Sequence, residues 1–463
     1  MSEHVSLVKR IARYAVDLRY EDIPAEALRL AQWLVFDTIG TALGGYQRPL
    51  GQKAVRFGTH MMKGDDASLI GDGSRVSEEG AAFTNAVMAK ILGMDDSHRS
   101  AGHIAAEMVP AVLAVSQTHG TSGRELLTAM VAAYDVAIRL GLQVRHWHRE
   151  RGHDLKGTIG AIGAAIAAGR CAGLSFEQMC QAVALSTDMA SGTEQYVYEG
   201  GRCETKDLIA GFAARTAIFA VRLAEAGFYG PDGAFDGEYG FFRAYGNGGD
   251  PSAFDDLGDN FMIVTTGFKP HGGCRHTHQA VDAVQQMLAQ GPLDASEIEA
   301  VTLHTYGYAT RPIFRVDPNP KSRDVAGLSI RVATAIALTH GSANPDDYAD
   351  WDAPLVRHLR NLIDVQIEPE IEANYPNLNG CRLEVRLKSG ETRTSALPNM
   401  KGEPEFPMTV DDLKNKFQAL THRLFDRDRV EQLYQRCIDL AALDDVNELL
   451  ELTRPAERMA EPA

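Results

Sequence analysis

The stretch Gly157-Thr158-Ile159-Gly160-Ala161-Ile162-Gly163-Ala164-Ala165-Ile166-Ala167-Ala168-Gly169 decides the fold class. It is small and apolar on every face, closed by Lys156 and Arg170, and shorter than the roughly 20 residues a bilayer requires. Such a segment is stable as a helix where other helices approach closely enough to cover it, which places it inside a multi-helix bundle. The flanking sequence has the same period. Residues 24–43 put Ala27, Leu30, Leu34 and Val35 on one stripe, with Pro24 where a first turn tolerates it and Gly44-Gly45 as a stop. Segments 78–92, 105–117, 123–142, 158–172, 176–188 and 206–226 read alike. The expectation is a mainly α protein with a large all-helical domain.

After Gly267 the texture changes. Residues 298–306 alternate, with Val301, Leu303 and Thr305 on one side, and Ile363, Val365 and Ile367 alternate again. Leu383, Val385 and Leu387, then Ser389-Gly390, then 392–397 read as a hairpin, and helices are expected at 276–290 and 330–340. Helical period resumes from Val410 to about Leu452. This predicts a smaller α+β lid domain, 267–402, inserted between a first helical part, 1–266, and a return to the helical domain, 403–463, with a cleft between the two. The Pro/Glu/Ala-rich tail, 454–463, is expected to fray.

Composition narrows the function. With 46 Lys+Arg against 62 Asp+Glu, a net charge of −16 and 44% hydrophobic residues, the chain can build a full core and lacks the basic footprint of nucleic-acid binding. Six cysteines without a CxxC pair suit a reducing cytoplasm. The first 20 residues are amphipathic and interrupted by Lys9, Arg10, Arg13, Asp17 and Arg19, so neither a leader nor a membrane segment is expected there. A cytoplasmic protein with no nucleic-acid and no membrane partner is the reading. GxGxxG and GxxxxGK[ST] are both missing, which removes the best support for nucleotide chemistry.

Four polar clusters stand at junctions between apolar segments. Asp95-Asp96-Ser97-His98 with His103 reads either as a solvated, helix-capping loop or as part of a site. Arg145-His146-Trp147-His148 followed by Gly152-His153-Asp154 contains a His-x-His pair, but its charge favours a surface loop. Lys206, opening a helix, sits against the positive end of the macrodipole, a place that suits an ammonium only beside an anion or when it snorkels. The run Lys269-Pro270-His271-Gly272-Gly273-Cys274-Arg275-His276-Thr277-His278 is the most informative. Its two glycines let amide N–H groups converge beside Lys269 and Arg275, a cradle for carboxylate or phosphate, and His278 in the first turn is favoured as a neutral base. A zinc reading of His271, Cys274, His276 and His278 is weakened because neighbours two apart on a helix point to different sides.

Together with Asp37-Thr38-Ile39-Gly40, Thr205-Lys206 with Gly211, Ala226-Gly227-Phe228-Tyr229-Gly230-Pro231 and Lys401-Gly402-Glu403-Pro404, these motifs resemble the MmgE/PrpD family over nearly the whole chain. That family includes 2-methylcitrate dehydratases, cis-aconitate decarboxylases and an iminodisuccinate epimerase. The resemblance implies a helical domain with an α+β lid, a homodimer, and a metal-free, cofactor-free site in the cleft. It carries catalytic positions onto Ser97, His103, Lys206 and His278. The chain departs from the pattern at Gly93, where the family often has a further Asp. It departs again at Asp154, where the family's HPTGT stretch opens with His, and here His153 lies one residue earlier.

Family chemistry begins at a carbon beside a carboxylate, a weak acid that needs a base and a cationic environment. Lys206 and the amides of Gly272 and Gly273 are expected to meet the developing charge, His278 or His103 to act as base, Ser97 to bind a carboxylate, and Asp95 or Asp96 to orient His103 or a water. Asp96, His153, Lys269, Gly272, Gly273 and Arg275 are expected to touch the substrate. The expectation is a cofactor-independent lyase, of hydro-lyase type, acting on a small di- or tricarboxylate. An epimerase or a decarboxylase of a similar acid is the alternative, and a zinc hydrolase or a non-catalytic binding protein is the outlying one. Because the chain is acidic overall, only a local basic patch would draw such a substrate in.

Overall fold

The computed structural model describes residues 5–99, 101–197, 203–311 and 320–456. The first four residues of the amphipathic start and residues 457–463 of the expected frayed tail lie outside them.

The chain is mainly helical with a small sheet region. At the centre of its larger hydrophobic core lies the helix Ala25–Tyr46, buried without interruption from Leu34 to Tyr46. It packs on Glu78–Lys90, which in turn packs on Ala105–His119 and Thr205–Glu225. The quoted Gly/Ala stretch becomes a wide turn, Lys156–Gly160, followed by the helix Ala161–Cys171, every residue of which but Arg170 is buried. Capping follows sequence: Ser77, Ser122 and Ser175 each accept a backbone N–H from the first turn of the helix they precede.

Two elements differ from the sequence reading. Gly44-Gly45 does not stop the first long helix, which continues to Tyr46. A Cβ on Gly45 would stand 1.9 Å from the Met88 carbonyl oxygen, so this glycine serves the close crossing of two helices. The helix from Gly123 runs to Glu150, so Arg145, His146, Trp147 and His148 occupy its last turns instead of a loop. That helix has the length and composition of a membrane span, yet 89% of its apolar window is buried inside the fold.

Residues 280–397 contribute a second hydrophobic core. Its four-stranded sheet has the order Ile363–Ile367, Ile298–Thr305, Cys381–Leu387, Thr392–Leu397. The first pair is parallel, with Val301 opposite Ile363, and the other two pairs are antiparallel. Val301, Leu303, Leu383 and Val385 are buried on the side of the sheet covered by His278–Ala289, on which Ile330–His340 packs in turn. The helices Val410–Thr421 and Arg427–Ile438 pack on Ala25–Tyr46 in the first core, where the Phe36 and Phe417 rings stack 4.4 Å apart and Tyr434 meets Phe36 edge-on.

A two-residue pairing joins the polar clusters. Asp96–Ser97 runs antiparallel to Gly267–Phe268, with Asp96 opposite Phe268 and Ser97 opposite Gly267. It brings the Asp95-Asp96 motif beside Lys269, far along the chain.

Replacing Gly45 by Ala should force these helices apart. We expect a loss of about 1–3 kcal/mol in stability, read as a lowered Tm in calorimetry, and an unchanged Tm would contradict the close crossing.

Candidate active site

The site is built around Asp95, whose side chain is fully buried. Lys90, in the last turn of its helix, donates to one carboxylate oxygen. Lys269 donates to the other from 3.1 Å and to the Gly93 carbonyl from 2.9 Å. Burial alone would push the Asp95 carboxyl up, but Lys269 and Lys90 hold it well below the usual carboxylate range. One carboxylate facing two ammonium groups leaves excess positive charge in a desolvated place.

Asp96 is buried as well, but its carboxylate is occupied. It accepts from the backbone N–H of Ala105 at 3.0 Å and from the Tyr134 hydroxyl at 3.0 Å, thereby capping the Ala105–His119 helix. Burial and the adjacent Asp95 push its pKa up to about 7. Its backbone carbonyl does the positioning: it lies 2.6 Å from His103 Nδ1. A carbonyl only accepts, so Nδ1 carries the proton and Nε2 keeps its lone pair. Burial and Lys269 hold the His103 pKa well below the usual histidine range, so the imidazole is neutral. Ser97, next along the strand, has a buried hydroxyl without a hydrogen-bond partner among the described residues.

Of these groups, Lys90, Lys269, His103 and Ser97 border a cavity of about 1250 Å³. Ser97, His103, Lys206, Lys269, Gly272, Gly273 and Arg275 line it. Among the described residues, twelve Lys and Arg line it against four Asp and Glu, in a chain of net charge −16. The cations come from separate elements. Lys269, Arg149 and Lys206 all act electrostatically on the Cys274 thiol between them, whose pKa burial raises and they lower.

Other expected site residues are placed differently. His278, the first residue of its helix, is buried off the cavity with its ring 5.3 Å from His271, which itself meets Asp282 at 2.8 Å. Residues Arg275–Thr277 form a tight turn ahead of that helix, and this puts His276 on the cavity wall, 2.8 Å from the Tyr306 hydroxyl. Asp95 and Asp96 lie behind the wall. His153 turns its ring toward His148 and Tyr245 and does not line the cavity. The Gly272 amide, expected to cradle an anion, donates to the Ala343 carbonyl at 2.9 Å. Arg275 lines the cavity but is held by Glu403, at 2.7 Å, which Arg99 also contacts. The zinc set diverges in the same way, and among the described residues no three His, Cys, Asp or Glu side chains gather as a metal site.

Sequence reasoning missed Lys90, Arg149, Lys156 and Tyr196, all lining the cavity. Lys156 projects from the wide turn Lys156–Gly160, closed by a hydrogen bond from the Gly160 amide to the Leu155 carbonyl. Turns of this kind recur at functional sites. The segment around it is zipped to residues 191–194: Ser191 donates to the Gly157 carbonyl, Asp154 to that of Gly192 and Glu194 to that of Gly152. A Cβ on Gly157 would lie 1.8 Å from the Ser191 carbonyl oxygen, so this glycine is required by the backbone contact.

Fold and cavity define a class: a mainly helical chain with a small mixed sheet and a cation-lined cavity on whose wall a neutral histidine is locked in one tautomer. The MmgE/PrpD N-terminal domain matches residues 9–253 and the MmgE/PrpD C-terminal domain matches residues 271–440, and the chain belongs to this family. A cis-aconitate decarboxylase-like protein of Aspergillus oryzae is 27% identical, over 96% of this chain and 97% of its own length. The cis-aconitate decarboxylase of Aspergillus terreus is 23% identical over 96% and 95%, and that of Homo sapiens 24% over 97% and 95%.

Burial pushes the Lys269 pKa down to about 8, while Asp95 pulls it up. Because the protonated form is the one that attracts an anion, binding of an anion such as sulfate should weaken as pH rises through about 8. Asp95→Asn removes the upward pull, so the loss should begin at lower pH. Calorimetric titration between about pH 6 and 10 checks this, and a flat affinity in the wild-type protein would contradict it.

Proposed function

We propose that the protein is a cofactor-independent lyase that acts on a small di- or tricarboxylate at the carbon beside a carboxylate. One observation carries the proposal: a neutral imidazole, fixed with Nε2 as acceptor, borders a cavity lined mainly by cations in an otherwise acidic chain. A carbon acid of this kind needs a base within reach and positive charge where the enediolate forms. His103 supplies the base. Lys206, Lys269 and Arg149 supply the charge, and Ser97 a hydroxyl for a substrate carboxylate. The unit at 267–402 would act as the lid, carrying Lys269 to the site.

The hydro-lyase form uses His103 and Lys269, whose ammonium is one of the causes that keep the imidazole neutral. His103 Nε2 takes the proton from carbon, the C–O bond to the β-hydroxyl breaks, and Lys269, with a pKa of about 8, protonates the departing oxygen to give water and an alkene. Decarboxylation is the second reading, favoured by the names of relatives aligned over almost the full length of both chains. In it the same cations hold the carboxylates while CO2 departs, and a protonated group returns a proton to carbon.

NMR of the enzyme in D2O with hydroxylated and unsaturated tricarboxylates tests both. An alkene formed from a hydroxy acid supports the hydro-lyase, and CO2 loss from an unsaturated acid supports the second reading. Exchange at carbon without net conversion would overturn both in favour of epimerisation. His103→Asn should lower kcat by roughly 10²- to 10⁴-fold with KM little changed, and full activity in that variant would remove His103 as base.

A further inference from the structure

Lys156, Asp154 and Tyr196 form a cluster that the reaction above does not use. The Lys156 ammonium donates to Asp154 Oδ2 at 2.7 Å and to the Tyr196 hydroxyl at 3.1 Å. Tyr196 donates in turn to the same Asp154 oxygen at 2.7 Å, and the Lys156 backbone N–H takes the other oxygen at 2.8 Å. Asp154 is therefore fully engaged in orienting its neighbours. The Lys156 side chain is 10% exposed, and it lines the cavity together with Tyr196.

An ammonium has three N–H donors, and among the described residues two are taken. The third donor stands on the wall of a cation-lined cavity, where a ligand oxygen can take the place of water. Asp154 cancels the net charge of Lys156, so the pair adds little to the field of the cavity. What it offers is a donor that stays protonated and fixed in direction, a good partner for one oxygen of an anion. The other ionisable groups facing it are Glu194 and Glu107. Burial pushes both carboxyls up, Glu107 strongly, and the interaction of each with Lys156 favours its ammonium form.

We propose that Lys156 binds a substrate carboxylate directly, with Asp154 and Tyr196 as the residues that position it; this rests on the polycarboxylate reading above. The geometry assigns one end of the substrate to this wall and the reacting end to His103 and Lys269.

The test is calorimetric titration of the full-length protein with propane-1,2,3-tricarboxylate, an acid with no β-hydroxyl to eliminate, in two buffers of different ionisation enthalpy. His103→Asn is the control for a site that binds without turning over. Lys156→Gln should weaken binding roughly 10- to 100-fold, the range for a hydrogen bond to a charged group. Tyr196→Phe keeps the ring and should weaken it about 2- to 10-fold. Asp154→Asn leaves the buried ammonium without its counter-charge, so binding should draw up more protons than in the wild type, a change that a merely structural role would not produce. Wild-type affinity in Lys156→Gln, or in Tyr196→Phe should the first variant not fold, overturns the inference and leaves the polycarboxylate reading standing. Equal proton uptake in Asp154→Asn and wild type overturns the positioning role. No binding to the wild type or to His103→Asn overturns the reading, and the inference with it.

Discussion

A single buried carboxylate holds the site together. Asp95 lies between Lys90, at the end of a helix in the first core, and Lys269, at the entry to the sheet-bearing half of the chain. Removing Asp95 would leave two buried ammonium groups without their counter-charge, a loss that typically costs about 3–5 kcal/mol because those charges cannot return to water. The clamp lies next to the short pairing of Asp96–Ser97 with Gly267–Phe268. That pairing sets the Asp96 carbonyl that locks His103, and it places Ser97 on the cavity wall. Base, hydroxyl and cation thus take their positions from one junction.

The electrostatic design is local. A chain of net charge −16 would repel an anion at long range, but charges farther apart than about 10 Å are screened at ordinary salt. Inside the cavity the balance reverses, and several of its cations are anchored by carboxylates set behind or beside them: Asp95 behind Lys269, Glu403 behind Arg275, Asp154 behind Lys156. Anchoring fixes the direction of each donor before a ligand arrives, which reduces the ordering cost of binding. The same burial keeps His103 neutral at the pH where Lys269 is still largely charged.

Much of the fold was legible because period and composition act locally. The Gly/Ala run 157–169 and the alternation at Val301 and Leu303 both end where sequence places them, inside a helical core and a sheet. What was not legible came from contacts across the chain. Gly45 reads as a helix stop because a glycine at a turn and a glycine under a crossing helix look the same in one dimension. Arg145 to His148 read as loop because a charged helix end carries no apolar stripe. In the 269–278 run, a tight turn before the helix shifts its phase, so His276 and not His278 reaches the cavity. Lys90 and Lys156 stand beside apolar segments, and only the partners Asp95 and Tyr196, supplied by folding, make them part of a site.

The most direct measurement is a crystal structure of the protein with a saturated, unreactive tricarboxylate bound. The acid should lie inside the cavity with one carboxylate beside Ser97 and the proton-bearing carbon within about 3–3.5 Å of His103 Nε2. An acid bound outside the cavity, or His103 with Nε2 turned to a protein partner while the acid occupies the site, would contradict it.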